Sequence, residues 1–384
     1  MKNVISNLAS TIRSLIFFAT YGLLAWASAG AEEVSYSDCR GADEALAGSD
    51  GVLYCEPFET ADFWKGKGYL KDGSRNFYPA EEDRFTKVST ETDQCVSGNC
   101  IRIEIPQYEC CGVAVAWPLE EAGLKPDNLY FRYYLKLGDN FDPALCKSDG
   151  SSAGDGGKFP GLADPRAWPE EQCGNGGNPS DGLNCWSARS LFKSCTFACE
   201  ENTQASTRFG TYAYHPYQNG LWGDHAVWDA DTNRQSGRTC EVTHNQDQNC
   251  PTDKIVACDS GPDVVGTCGF DNVGDLENGV WHAIEMQVSM NTPGKDDGVL
   301  RGWVDGELAF EKTNMVWRKI GHDNLHVRLV WLNVHFGGEF VGPCSPGGTE
   351  VYIDQMVVAT TPVGVAGNFQ PALTPNPPND LIAD

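Results

Sequence analysis

Apolar and polar residues alternate along much of the chain with a period of two. The runs Ile101-Arg102-Ile103-Glu104-Ile105, Val113 to Trp117, Leu129 to Leu137, Trp281 to Met290, Leu300 to Phe310, His326 to His335 and Val351 to Ala359 each set every second side chain on one face. That is the pattern of strands with one packed side. Helical periodicity is scarce, Gly and Pro punctuate the gaps, and strands do not alternate with helices. The pattern predicts an all-β fold, an antiparallel β-sandwich or jelly roll. Residues 32 to about 95 supply the first strands, with Phe58 and Trp64 as core candidates. Polar, cysteine-bearing insertions at about 142–156, 164–182, 193–206 and 229–270 interrupt the strands, and no repeat or second domain is visible.

The two ends of the chain depart from this pattern. Lys2 and Arg13 precede a largely apolar stretch from Ser14 to Ala29 that runs into small residues and then Glu32-Glu33. This reads as a signal peptide over 1–31, removed on export, because the stretch is short for a membrane span. The protein is expected to be secreted or periplasmic, with no membrane contact after the leader is removed. Residues 32–360 form the expected β domain, and the Pro-rich tail 361–384, with Pro362, Pro371, Pro375, Pro377 and Pro378, is expected to be disordered.

Composition narrows the partners. The 384 residues carry 53 Asp and Glu against 28 Lys and Arg, a formal charge of -25. A nucleic-acid binder needs a basic surface, so that class is excluded as an expectation. An acidic substrate is compatible if a few cations gather in one cleft. All 16 cysteines follow the leader, and in an exported chain an even number implies disulfides that staple the insertions. Cys95-x4-Cys100, Cys195-x3-Cys199 and vicinal Cys110-Cys111 lack the spacing of a zinc site, so no metal or other cofactor is expected.

Candidate chemistry sits in four places. The run Leu129 to Leu137 puts Phe131, Tyr133, Leu135 and Leu137 on one face and Arg132, Tyr134 and Lys136 on the other. The second face is a basic and aromatic strip suited to a sugar-binding groove, or equally an ordinary solvated face. Gly156-Gly157-Lys158 is a Gly-rich approach to a lysine, yet no P-loop, because Phe159 follows where Ser or Thr is required. Ser187 and Arg189 share one strand face, and so do Tyr212 and Tyr214. His335 closes a strand beside Phe336-Gly337-Gly338 and is placed to face a groove, whereas His282, His322 and His326 read as structural.

In order, Gly-Gly-Lys158-Phe-Pro-Gly-Leu, Trp-Ser187-Ala-Arg189, Tyr212-Ala-Tyr214, Trp281 through Asn291-Thr-Pro-Gly to Gly298, Trp303-Val-Asp-Gly306 and His335-Phe-Gly-Gly338 resemble polysaccharide lyase family 14. The resemblance runs from roughly Leu129 to Val358, and its most specific part is the stretch from Asn-Thr-Pro-Gly to Trp-Val-Asp-Gly. It implies a jelly-roll (concanavalin A-like) enzyme that cleaves uronate polymers, alginate first and glucuronan second. It also implies catalytic roles for Lys158, Ser187, Arg189, Tyr212 and Tyr214. Phe159 stands where Leu is usual, Ala188 where Thr is common, and the Cys-rich insertions are additional.

β-Elimination at a uronate needs the carboxylate neutralised, the C5 proton removed and the leaving O4 protonated. Arg189 suits the carboxylate, with Lys158 stabilising the enolate and Ser187 orienting the sugar. Tyr212 or Tyr214 transfers protons as a phenolate favoured by the nearby cations, or Lys158 is itself the base if a neighbouring cation depresses its pKa. No metal is demanded. Arg132, Tyr134, Lys136 and His335 are the expected substrate-binding residues, on a monomer with an acidic polysaccharide as partner. The competing readings are a non-catalytic polysaccharide-binding module on the same fold and a glycoside hydrolase. The second lacks the paired acids that such an enzyme delivers from one strand.

Overall fold

The computed structural model describes residues 39–63, 70–71, 88–120, 122–164, 173–194, 207–218, 221–228, 274–337, 340–367 and 369. In chain order the strands are β1 (Val52–Glu56), β2 (Leu70–Lys71), β3 (Val88–Glu91), β4 (Cys100–Ile105), β5 (Cys111–Pro118), β6 (Asn128–Leu137), β7 (Ala144–Cys146), β8 (Ser152–Asp155) and β9 (Gly157–Asp164). They continue as β10 (Trp186–Ser194), β11 (Thr207–Tyr214), β12 (Asp224–Val227), β13 (Asp275–Leu276), β14 (Trp281–Ser289), β15 (Gly298–Val304), β16 (Glu307–Met315), β17 (Leu329–Phe336), β18 (Gly342–Pro343) and β19 (Thr349–Ala359). One eight-stranded sheet runs β16-β15-β14-β6-β19-β4-β3 with β1 also on β19, and a second runs β12-β11-β10-β9-β17-β5-β2 with β13 also on β11. A small third sheet is β18-β7-β8. The ladders are antiparallel, for example β6 with β14 and β9 with β17, and the architecture is the expected jelly roll.

Alternation builds the core. Phe131, Tyr133, Leu135 and Leu137 of β6 meet Phe159, Leu162, Phe192, Val330, Leu332 and Phe336 of the second sheet in one buried cluster. A fully buried side chain of this size contributes about 1.5–3 kcal/mol. The Tyr133 hydroxyl crosses the core to donate to Ser190 Oγ at 3.0 Å. This contact ties the sheets and fixes the faces of β10: Ser190 points in, so Ser187 and Arg189 point away from the core. Phe58 is fully buried as expected, while Trp64 lies outside the described residues.

Three expectations are corrected. The run Leu300 to Phe310 is two strands, because Asp305 (φ 52°) and Gly306 (φ 85°) turn the chain between β15 and β16. This is the Asp-Gly hairpin signal inside an otherwise alternating run. The tail is ordered as far as Phe369 in the described residues: Val363 and Gly364 donate their amides to Glu285 at 2.9 and 2.8 Å, and the Phe369 ring lies 4.6 Å from that of Tyr134. The third correction, the strip on β6, concerns the site and is given below.

Five disulfides are present among the described residues: Cys39–Cys55, Cys95–Cys100, Cys110–Cys111, Cys146–Cys344 and Cys173–Cys185. The last two staple the insertions at 142–156 and 164–182, as expected. The leader, much of the 193–206 and 229–270 insertions and residues 370–384 lie outside the described residues. Asn291, in the most specific stretch of the family resemblance, is a fully buried staple. Its Oδ1 accepts the amides of Trp317 and Arg318 at 2.8 and 2.9 Å, and its Nδ2 donates to the Arg318 carbonyl at 2.8 Å.

Candidate active site

The face of the second sheet turned away from the core gathers the predicted catalytic residues by register. Arg189 on β10 pairs with Tyr212 on β11 and with Gly161 on β9. Tyr212 pairs with His225 on β12, and Gly161 with Trp331 on β17. These residues form one row across five strands. Ser187 pairs with Tyr214 and with Ala163 in the next row, and Lys158 pairs with His335 and Leu191 on the other side. Glycine is required at the centre of the row, because a Cβ on Gly161 would run into the Ala188 carbonyl and the Arg189 backbone.

The side chains meet as the register suggests. Lys158 Nζ lies 5.1 Å from the centre of the Tyr212 ring and donates to the Gly337 carbonyl at 2.7 Å. The Arg189 guanidinium lies 4.4 Å over the Trp331 ring and 5.5 Å from that of Tyr212, and Nη1 donates to Asn333 Oδ1 at 3.4 Å. Stacking of this kind orients a guanidinium while leaving edges for a carboxylate. The hydroxyls of Tyr212 and Tyr214 are 3.0 Å apart. Tyr212 accepts the Gly223 amide at 3.2 Å, and Tyr214 the Gly177 amide at 3.0 Å. Ser187 Oγ donates to the Gly174 carbonyl at 2.6 Å, which ties the strand to the loop stapled by Cys173–Cys185. Arg189, Tyr212, Tyr214 and Ser187 are buried, whereas Lys158 keeps intermediate exposure.

Burial sets the electrostatics. Lys158 is lowered to about 7, first because its ammonium is desolvated and then because Arg189 stands nearby. Tyr212 moves the other way: burial, then the Tyr214 hydroxyl, raise it above the ordinary tyrosine value, and the Arg189 charge is too small to reverse this. The expected phenolate is thus corrected for Tyr212, since desolvation outweighs the attraction of the cations. The arrangement holds a lysine that is half neutral near neutral pH, a tyrosine that keeps its proton and a fixed guanidinium. Chemically, such a set can supply a base, an acid and a carboxylate clamp.

The strip on β6 takes no part. Arg132, Tyr134 and Lys136 belong to the first sheet, on the side away from the core, and are covered by other segments. Buried Arg132 pairs with Asp43 and donates to the Gln355 carbonyl at 2.7 Å. The Tyr134 hydroxyl accepts the Ala366 amide at 2.9 Å, and Lys136 Nζ donates to Gln94 Oε1 at 3.1 Å. These three are corrected from substrate-binding residues to anchors for the segments that cover the sheet. His335 does lie on the site face beside Lys158, with Nδ1 3.3 Å from Cys111 Sγ. His282 and His326 are held locally, by Asp305 at 2.8 Å and by the Asn324 carbonyl at 2.8 Å.

Trp331, Asn333 and His225 lie outside the motifs of the family resemblance. The first two precede His335 at intervals of two, so strand alternation carried a signal for them. His225 joins through the β11–β12 register, its ring 5.0 Å from Tyr212, and nothing local marks it.

Residues 237–356 match the family model for polysaccharide lyase 14. The match includes Trp331, Asn333 and His335, while Lys158 to Tyr214 precede it. No curated protein matches the chain. Among solved structures, the chain is similar to a marine alginate lyase of that family from Aplysia kurodai, with 16% identity, 81% of this chain and 99% of that chain covered, and a TM-score of 0.49. It is also similar to an endo-β-1,4-glucuronan lyase from the fungus Trichoderma reesei, at 12% identity, 81% and 96% coverage and a TM-score of 0.42. An alginate lyase from Chlorella virus gives 15% identity, 70% and 88% coverage and a TM-score of 0.42. Over residues 237–356 this chain matches the polysaccharide lyase 14 model, the family that its motifs resemble.

Proposed function

We propose that the protein is an exported lyase that cleaves a uronate polysaccharide, alginate first and glucuronan second, by β-elimination without a metal. The observation that carries this reading is Lys158, brought to about 7 beside Arg189 and within reach of the Tyr212 ring. Arg189 pairs with the C6 carboxylate of the sugar and makes the C5 proton more acidic. The neutral Lys158 amine takes that proton. The tyrosine pair returns one to the glycosidic O4, leaving a C4–C5 double bond conjugated with the carboxylate. Ser187 positions the tyrosine strand and the loop over it, and His335 lines the Lys158 side as a substrate contact. The five disulfides among the described residues and the leader-like N-terminus support export, to the periplasm or medium.

The test is ultraviolet absorbance of the conjugated product on mixing the oxidised protein with alginate, glucuronan and other polyuronates. A rise that Lys158→Ala abolishes establishes the elimination and identifies the polymer. No rise on any of them from folded protein that still binds polyuronate overturns the lyase reading for those substrates in favour of a binding module.

A further inference from the structure

The face that carries Lys158 also holds a cluster of soft donor atoms. Cys111 opens β5 opposite His335 on β17, and His335 stands opposite Lys158 on β9. Cys110 and Cys111 are joined to each other, and Cys111 Sγ contacts His335 Nδ1 at 3.3 Å. The two sulfurs and one His335 ring nitrogen lie within 4.8 Å of one another. Donors bound to a common zinc ion, at about 2.3 Å for sulfur and 2.0–2.1 Å for nitrogen, fall within such a span. Cys111 and His335 are buried, while Cys110 is partly exposed and open to a reagent.

We propose that Cys110, Cys111 and His335 form a redox-gated site for a soft divalent cation such as Zn²⁺. A dithiol reductant opens the pair: the S–S bond breaks, two S–H bonds form, and the dithiol gives up two electrons and two protons to become its own disulfide. The cation then displaces both thiol protons. Two thiolates and a neutral imidazole balance its charge and leave a fourth position open. The oxidised pair offers no thiolate and does not hold the ion. Because His335 adjoins Lys158 and lines the groove as a proposed substrate contact, the bound cation withdraws that contact and suppresses turnover. That last consequence rests on the proposed lyase reading, while binding itself does not.

The second group of close donors, Cys95, Cys100 and Asp354, serves as a control, since Asp354 Oδ2 already accepts the amides of Val96 and Ser97 at 2.9 and 3.2 Å. The full chain is treated with a dithiol, and alkylation with mass spectrometry identifies which cysteines have opened. Co²⁺ is then added as the probe, and its thiolate charge-transfer band is titrated. The band should be absent before reduction and appear after it. It should vanish in Cys111→Ser, weaken more than about a hundredfold in affinity in His335→Gln, beyond what an outer-sphere change commonly costs, and persist in Cys95→Ser. The Cys110→Ser, Cys111→Ser double variant, checked for folding by circular dichroism, should show no such band and no Zn²⁺ inhibition at this site. No band once Cys110 and Cys111 are shown to be reduced, or a band that follows Cys95 or ignores His335, overturns the site. Cobalt binding with the expected dependence but no turnover on any polyuronate supports the site and overturns the lyase reading alone.

Discussion

The hydroxyls of Tyr212 and Tyr214 are 3.0 Å apart with their rings at 88°, and each accepts one backbone amide. One hydroxyl proton is used between them and the other remains for the substrate. Either ring can therefore lose its hydroxyl without removing the acid altogether. Tyr212→Phe and Tyr214→Phe should each slow turnover less than the double variant, which should lose roughly 10²–10⁴-fold. Initial rates of the three variants decide it, and a double variant as fast as the wild type would exclude the pair as the acid.

With Lys158 lowered to about 7, the base form is present above that pH and lost below it. kcat/KM should therefore rise as pH increases through about 7 and hold above it, since burial keeps the Tyr212 proton in place. Lys158→Arg, protonated throughout, should lose that limb together with most of the activity. A rate that falls as pH rises through the same range would assign Lys158 the opposite role.

The same shift has a stability consequence. An unfolded lysine binds its proton with the ordinary value of 10.5 and the folded one with about 7, so the unfolded chain holds more protons between these values. The penalty is complete below pH 7, shrinks as pH rises towards 10.5 and is absent above it. Lys158→Met should raise Tm at pH 7, with the gain fading as the buffer approaches pH 10.5. Thermal melts across that range check the sign.

Arg132 and Asp43 are both buried and joined across the cover of the first sheet. Arg132→Ala leaves an uncompensated buried carboxylate and should cost about 3–5 kcal/mol. It should leave kcat and KM of the folded protein unchanged, because Arg132 stands on the other sheet. Urea titration and steady-state rates separate the two effects, and a raised KM at full stability would return Arg132 to the groove.

Alternation placed Ser187 with Arg189 and Tyr212 with Tyr214, because a strand assigns faces locally. The same rule separated Arg132, Tyr134 and Lys136 from their core-facing neighbours, yet it cannot say what covers a face. The answer came from Asp43, Gln355 and Ala366, remote in sequence. The direction of the tyrosine shift is hidden for a similar reason: charged neighbours are visible in a motif, and burial is not. Trp331 and His225 reached the row by ladder register, a property of strand pairing rather than of either segment.

β12 and β13 lie end to end along one edge of β11. The Trp228 amide donates to the Phe209 carbonyl at 3.0 Å, and the Phe209 amide donates to the Gly274 carbonyl at 2.7 Å. Trp228 and Gly274 are packed so closely that a side chain on Gly274 would collide with the Trp228 carbonyl. The chain leaves this edge and rejoins it at a single joint, directly beside the strand of the tyrosine pair. Such a joint works as a socket: it holds the two ends of the intervening segment together, so each doubling of that segment's length costs only about 0.6 kcal/mol of closure entropy at the joint.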